Sequence, residues 1–389
     1  MKYFLAVFVS LLICPVMSAA QEPAETGPQS SATQLTLDDL RTFTDVFNQL
    51  RSNFVHEVDD HTLLVAAIDG MISRLDPWSV FLDAERAQEL DDASRGRYGG
   101  IGISVDMRDR RIYVESVYPD GPADRAGVKP GDIITAVEGR PVRGHSISVS
   151  LDALTGEPGS VVNVRFKTPD QPSRELSLER EYILVSSVSQ EMLSDGIGYF
   201  QISHFHRNTH KELENSIASI RQAPGGPLSG IILDLRGNGG GVVLPAVEMA
   251  DGFLDEGMIV YTQGRYEASL LEFHAKPGQW VEEVPVVILV DSKTASASEV
   301  FTGALQDHGR AVIIGQKTFG KGSIQSVFML RNGSMLKLTT AHYFTPLGKT
   351  THNNGIQPDI AVTPEETGEL ENDRLLNEAL NHFSRIKES

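Results

Sequence analysis

The sequence is almost without cysteine: its 389 residues contain one, Cys14. Neither a disulfide framework nor a thiol nucleophile is therefore available to the body of the chain. Positive charge is short as well. Lys and Arg number 34 against 52 Asp and Glu, a formal net charge of −18, and no basic cluster offsets it. That balance argues against nucleic acid and anionic membrane surfaces as partners. The histidines, among them His204, His206, His308 and His342, show no H-E-x-x-H spacing, so no metal is assigned, and no cofactor is implied. There is no internal repeat. What remains, 40% hydrophobic and 22% charged residues, is ordinary for a globular chain long enough for two or three cored domains.

Residues 1–20 carry an early Lys2, an apolar stretch from Phe4 to Val16, and small residues before Gln21. This reads as a secretory signal with Ser18 and Ala20 at the positions a signal peptidase inspects, and it is too short for a membrane span. Cys14 lies inside it. Lipid attachment there is the alternative, although Ile13 is bulkier than such a cleavage site prefers. Export without disulfides fits a bacterial periplasm. Residues 21–35 read as a flexible linker. Within 36–95, Thr36 with Asp39 forms a capping-box pattern, and Leu40, Phe43, Phe47, Leu50 and Phe54 follow at helical spacing. A second helix is expected from Asp60 to Leu75, ended by Asp76-Pro77. These amphipathic helices need a surface to cover, in their own domain or in a second subunit.

From Tyr98, the run Gly99-Gly100-Ile101-Gly102-Ile103 opens a strand with Ile101, Ile103 and Val105 on one face. Ile112 and Val114 suggest the next strand. Gly121 to Val142 reads as a helix, a turn and a strand pair; Ile147, Leu151 and Leu154 make a short helix, and Val161 to Phe166 a closing strand. An α/β pattern resumes at Gly196. Ile197–Ile202 reads as a strand and Leu213, Ile217 and Ile220 lie on a helix. The apolar run Gly230–Leu235 feeds Arg236-Gly237-Asn238-Gly239-Gly240-Gly241. A dinucleotide loop would need G-x-G-x-x-G, and Val242 occupies its last position. Ser334–Tyr343 is strand-like, and Leu375, Leu376, Leu380 and Phe383 fall on a last helix.

Asp291 to Gln325 carries the chemistry. An apolar strand, Val284–Val290, ends in a small-residue turn holding Ser296, and a helical pattern follows. A serine at such a turn lies beside the unsatisfied N–H groups of a helix start, as nucleophilic catalysis requires. Ser296 and Glu299 also satisfy the capping pattern [ST]-x-x-[DE], which is the structural alternative. Lys321, between two glycines and near Phe319, reads as lying in a tight apolar turn. Desolvation there would disfavour its ammonium form and suit it to act as a base. Ser292, Ser298 and Ser323 are rival serines, and a Ser-His-Asp triad lacks its usual sequence context.

The segments TASASE, QDHGR and FGKGSIQ, in this order and spacing, resemble the C-terminal processing peptidases, or tail-specific proteases. The resemblance extends over nearly the whole chain after residue 20. It implies Ser296 as nucleophile, Lys321 as general base, and Gln325 as a supporting residue one helical turn beyond the lysine. It places the DLRGNGGG segment at the oxyanion hole, with the amides of Gly239 or Gly240 and of Ala297 as donors. Glu299, Asp307 and Thr318 are implied as supporting residues, Thr318 by holding the lysine. Residues 96–170 resemble a PDZ domain whose Gly99, Gly100, Ile101, Gly102 and Ile103 would capture a peptide carboxylate.

The implied architecture is an α/β (α+β) peptidase core of crotonase/Clp-protease-like type at 171–365. It carries an inserted PDZ domain, N-terminal helices and a C-terminal helical tail at 366–389. The implied partners are unstructured or apolar C-terminal tails of envelope proteins, a possible adaptor, and further copies of the chain. Trp78 stands where many relatives carry histidine. A non-catalytic peptide-binding scaffold and a crotonase-like acyl-CoA enzyme are the competing readings.

Overall fold

The computed structural model describes residues 11–12, 34–108, 111–142, 151–222, 228–363 and 373–388. The rest of residues 1–20, Cys14 among them, most of the expected linker and Ile147 lie outside them. Beyond residue 33 the described chain falls into two compact units, one of residues 34–85 with 325–339 and one of 86–324 with 340–388. No described helix is long and apolar enough to cross a membrane.

In the smaller unit, helix α1 spans Leu37–Asn53. It opens on a reciprocal capping box between Thr36 and Asp39, as that pair predicts. Helix α2 (Asp60–Ile72) ends three residues earlier than expected. None of the α1 residues is buried, and Leu40, Phe43, Val46 and Leu50 are about half exposed. The short strand β1 (Val80–Leu82) pairs with residues 335–337.

In the larger unit, helix α3 (Ala84–Ser94) leads to strand β2 (Arg97–Gly100), the entrance to a six-stranded antiparallel sheet. That sheet runs in the order β3 (Ile103–Arg108), β4 (Arg111–Val117), β5 (Ile133–Val137), β7 (Val161–Lys167), β8 (Arg174–Glu179), with β6 (Arg140–Pro141) paired to β5. Helix α4 (Pro122–Arg125) packs against β8. Ile112, Val114, Ile134, Val162, Val164 and Phe166 alternate inward and form its core. The sheet does not close at Phe166 or at residue 170. β8 adds a further strand, whose Leu176 and Leu178 alternate with charged and polar residues that hide the apolar period. The chain leaves through β9 (Glu181–Leu184), which pairs antiparallel with β2. Entry and exit thus run through one two-stranded ribbon.

Strand β10 (Val188–Met192) pairs antiparallel with β11 (Ile197–Ile202), and from there the sheet is parallel. Its order continues β12 (Gly230–Asp234), β15 (Val286–Val290), β16 (Ala311–Gly315), β19 (Ile360–Ala361). Every residue of β12 and β15 is buried, as their uninterrupted apolar runs require of a sheet covered on both faces. On one face lies the last helix, α8 (Arg374–Glu388), whose Leu375, Leu376, Ala379 and Phe383 pack against Ile232, Val287, Leu289 and Ile314. Helices α5 (Thr209–Gln222), α6 (Val243–Asp251) and α7 (Ala297–Asp307) pack in series. A second sheet joins β13 (Met258–Gly264) to β14 (Glu272–His274) and to residues 341–344. Those residues end strand β18 (Met335–Phe344), whose sheet neighbour is β17 (Ser323–Met329).

The register brings two strand ends level. Asp234 pairs with Leu289, so β12 and β15 stop at the same height. The loops that leave their carboxyl ends, where open α/β sheets place ligands, are therefore side by side.

Candidate active site

The serine turn is built from its backbone outward. At the end of β15 the Asp291 carboxylate accepts from the N–H groups of Lys293 (2.9 Å) and Thr294 (3.0 Å). Thr294 Oγ1 donates to the Leu235 carbonyl at 2.9 Å, tying the turn to the neighbouring strand end. Ser296 then adopts φ 60° and ψ −118°, just ahead of α7. A positive φ in a residue with a side chain costs about 1–3 kcal/mol and persists only where the surroundings hold it. Ser296 is 1% exposed.

The glycine loop after β12 is clamped to this turn by Asn238, a residue that no motif singles out. Its Nδ2 donates to the Ile202 carbonyl at 2.8 Å, and its own carbonyl accepts from Ala295 N–H at 3.0 Å. Its Oδ1 accepts the Gly240 N–H at 2.8 Å. Of the two glycines expected as donors, Gly240 thus has its amide committed. Among the described residues, the N–H groups of Gly239 and Ala297 have no hydrogen-bond partner. Gly240 has a different place. Its φ is +99°, and a Cβ there would lie 2.7 Å from the Ala295 carbonyl, 2.8 Å from Ser296 Cβ and 3.0 Å from Ala297 N.

The lysine segment meets the serine turn at Glu299, which is fully buried. One carboxylate oxygen accepts from Ser296 N–H (2.7 Å) and Lys321 N–H (2.9 Å). The other accepts from Thr318 Oγ1 (2.6 Å) and Gly320 N–H (2.8 Å). Burial pushes this carboxyl up from the usual range, against the pull of those four donors. Glu299 is thus the junction of the two segments, and Thr318 acts on the lysine loop through it. Lys321 is 1% exposed. Phe319 does not wall it off from solvent, being half exposed itself. Gly322 has no room for a side chain, since a Cβ there would come within 2.4 Å of His352 N.

Gln325 is fully buried, and it lies on strand β17, not a helical turn beyond Lys321. The run Ser323-Ile324-Gln325-Ser326-Val327-Phe328 is paired as a strand, and its β-branched and aromatic residues suit one. Its Nε2 donates to Thr339 Oγ1 at 3.0 Å. Asp307 is not brought to the serine. It ends α7, about 15 Å of helix away, where its carboxylate accepts from Leu347 N–H (3.0 Å) and Lys349 Nζ (2.8 Å). Ser298 Oγ is spent on the Asn238 carbonyl at 3.1 Å.

In the smaller sheet the five candidate residues divide. Gly99 and Gly100 pair with Tyr182 and Glu181 in the β2–β9 ribbon and form no open loop. Ile101 is core, Gly102 makes the turn with φ +77°, and Ile103 starts β3. Among the described residues, β3 is an edge strand with one sheet neighbour, β4. An extended peptide can add along such an edge.

Residues 196–362 match the model of peptidase family S41, residues 113–168 that of a PDZ domain, and residues 9–86 that of the activating protease CtpB N-terminal domain. A carboxy-terminal-processing protease of Bartonella bacilliformis is 39% identical over 333 residues, covering 85% of this chain and 76% of its own. The carboxy-terminal processing protease CtpA of Bacillus subtilis is 34% identical over 369 residues, covering 92% and 78%. The photosystem II D1 C-terminal processing protease superposes with a TM-score of 0.50 at 28% identity, over 87% of this chain and 97% of that one. A putative S41 protease of Bacteroides fragilis shares the fold at a TM-score of 0.56 and 16% identity, over 94% and 100%.

Proposed function

Because the chain belongs to the carboxy-terminal-processing serine proteases of peptidase family S41, we propose that it cleaves its substrates with Ser296 as nucleophile and Lys321 as general base. The observation that carries this is the Glu299 carboxylate, whose single oxygen receives the backbone N–H of both residues. Two segments remote in sequence are thereby held at one point. The neutral lysine takes the Ser296 proton as Oγ adds to the scissile carbonyl, and the N–H groups of Gly239 and Ala297 stabilise the oxyanion. The lysine ammonium returns the proton to the leaving amine. Water, deprotonated by the same lysine, then releases the acyl-enzyme. Gln325 is read as supporting the lysine. No cofactor enters any step.

The PDZ domain is read as the part that takes up unstructured, apolar C-terminal tails, along the free edge of β3. Its attachment through the single β2–β9 ribbon favours a gating role, with or without an adaptor protein. The parallel sheet and its glycine-rich oxyanion loop favour the crotonase/Clp-like description of the core. The leader favours export, so envelope proteins of the periplasm are the substrate class, with lipid attachment at Cys14 as the alternative.

The test is intact mass over time on an unfolded protein ending in an apolar tail, with the same protein ending in charged residues beside it. Products from the apolar tail alone, absent with Ser296→Ala, are the expected result. Equal cleavage by Ser296→Ala would remove the serine assignment. Equal cleavage of both tails would remove the tail preference.

The apolar face of α1, Leu40, Phe43 and Leu50 among it, favours a second copy of the chain as its cover. Sedimentation equilibrium should give a dimer or larger for the mature protein and a smaller species for Phe43→Glu/Leu50→Glu. An unchanged mass for that variant, or a monomeric wild type, rules the interface out.

A further inference from the structure

We infer that Tyr343 is a positioning residue of this site, an inference that rests on Ser296 as nucleophile and Lys321 as base. Nothing local in the sequence marks it; it lies 47 residues beyond Ser296 and 22 beyond Lys321. In space its hydroxyl stands between them. It donates to the Lys321 carbonyl at 2.9 Å, with the Ser296 carbonyl at 3.2 Å and a Glu299 carboxylate oxygen at 3.5 Å. The backbone of the same residue holds the lysine loop a second time, through Tyr343 N–H to the Gly322 carbonyl at 3.1 Å.

The chemistry of that arrangement is specific. Three oxygens, each an acceptor, converge on one buried point, and the side chain is only 1% exposed. Acceptors crowded together in a low-dielectric interior repel one another unless a donor lies among them. The phenol supplies that donor, and burial beside Glu299 holds its pKa well above the usual tyrosine value, so the proton stays. Glu299 binds the N–H groups of Ser296 and Lys321, and Tyr343 binds their carbonyls. Between them, the two side chains fix both peptide faces of the nucleophile and of the base. Removing the hydroxyl leaves the ring packed and takes this donor from the Lys321 carbonyl, whereas the Ser296 carbonyl keeps the N–H groups of Glu299 (2.8 Å) and Val300 (3.0 Å) and Glu299 keeps its own donors. The lysine loop should then shift against the serine turn, which its helix still holds.

Tyr343→Phe removes one oxygen and nothing else. Its expected effect is a fall in kcat of about ten- to a hundredfold with KM unchanged, since a buried acceptor group loses its donor at the reacting centre and not where substrate binds. A second readout avoids substrate altogether, namely the rate at which a fluorophosphonate probe labels Ser296, measured well below the melting temperature. Wild type should label, Ser296→Ala should not, and Tyr343→Phe should label more slowly by a similar factor. Labelling at the wild-type rate overturns the inference while leaving the serine–lysine reading intact. A fall in kcat that tracks the loss of folded protein overturns it too, because a purely structural tyrosine would do that. A wild type that is not labelled overturns the serine reading, and this inference with it.

Discussion

Lys321→Met is expected to reduce kcat by about 10³–10⁴, the contribution of a positioned general base, while thermal melting shifts by only a few degrees. Methionine follows the lysine chain out to Cε, lacks only the terminal nitrogen, and suits a site that is 1% exposed. The fold should hold because residue 321 is fixed by its backbone: its N–H goes to Glu299 and its carbonyl accepts from Tyr343. The pH profile gives the sign. A base works in its neutral form, so wild-type activity rises with pH through the titration of the lysine, and the variant loses that rise. Steady-state kinetics across pH, with calorimetry on the same samples, checks both parts. A variant that keeps the wild-type rate at every pH assigns the proton transfer to another group.

Gly240→Ala should be nearly as severe, with a loss of about 10²–10³ in kcat, and for a different reason. The added Cβ would sit 2.8 Å from Ser296 Cβ, 2.7 Å from the Ala295 carbonyl and 3.0 Å from Ala297 N, at a φ of +99°. None of those atoms is the loose end of a flexible side chain, so backbone must move. The atoms that move belong to the proposed nucleophile and to one expected oxyanion donor. KM should change little, and a tail peptide should still bind. Activity within a few-fold of wild type would show that the loop yields without disturbing the serine.

The legible parts of this molecule are those whose physics is local. Val286–Val290 and Ala311–Gly315 are runs of apolar residues that only a doubly covered strand explains, and the turn holding Ser296 follows from where the first run stops. The misread parts depend on partners far away in the chain. Gln325, four residues after Lys321, suggested one helical turn, yet Ser323–Met329 is a strand whose neighbour lies in residues 335–344. The choice between Gly239 and Gly240 could not be made without the side chain of Asn238, which takes one amide and leaves the other. Tyr343 sits in a stretch recognisable only as a strand, with nothing to say where its hydroxyl ends. That Gly99 and Gly100 are paired, and not open to a peptide carboxylate, is hidden because Tyr182 and Glu181, their antiparallel partners, come about eighty positions later.

The frame around the serine and lysine is written almost wholly in main-chain contacts, from Glu299, Asn238 and Tyr343 to peptide N–H and carbonyl groups. Such a frame is indifferent to what the reactive positions carry at their tips. A lineage descending from this chain can therefore lose the hydroxyl or the amine by a single substitution and keep the architecture and the peptide edge. The reverse change is as short, so within this architecture the residues at 296 and 321, and not the frame, decide the chemistry.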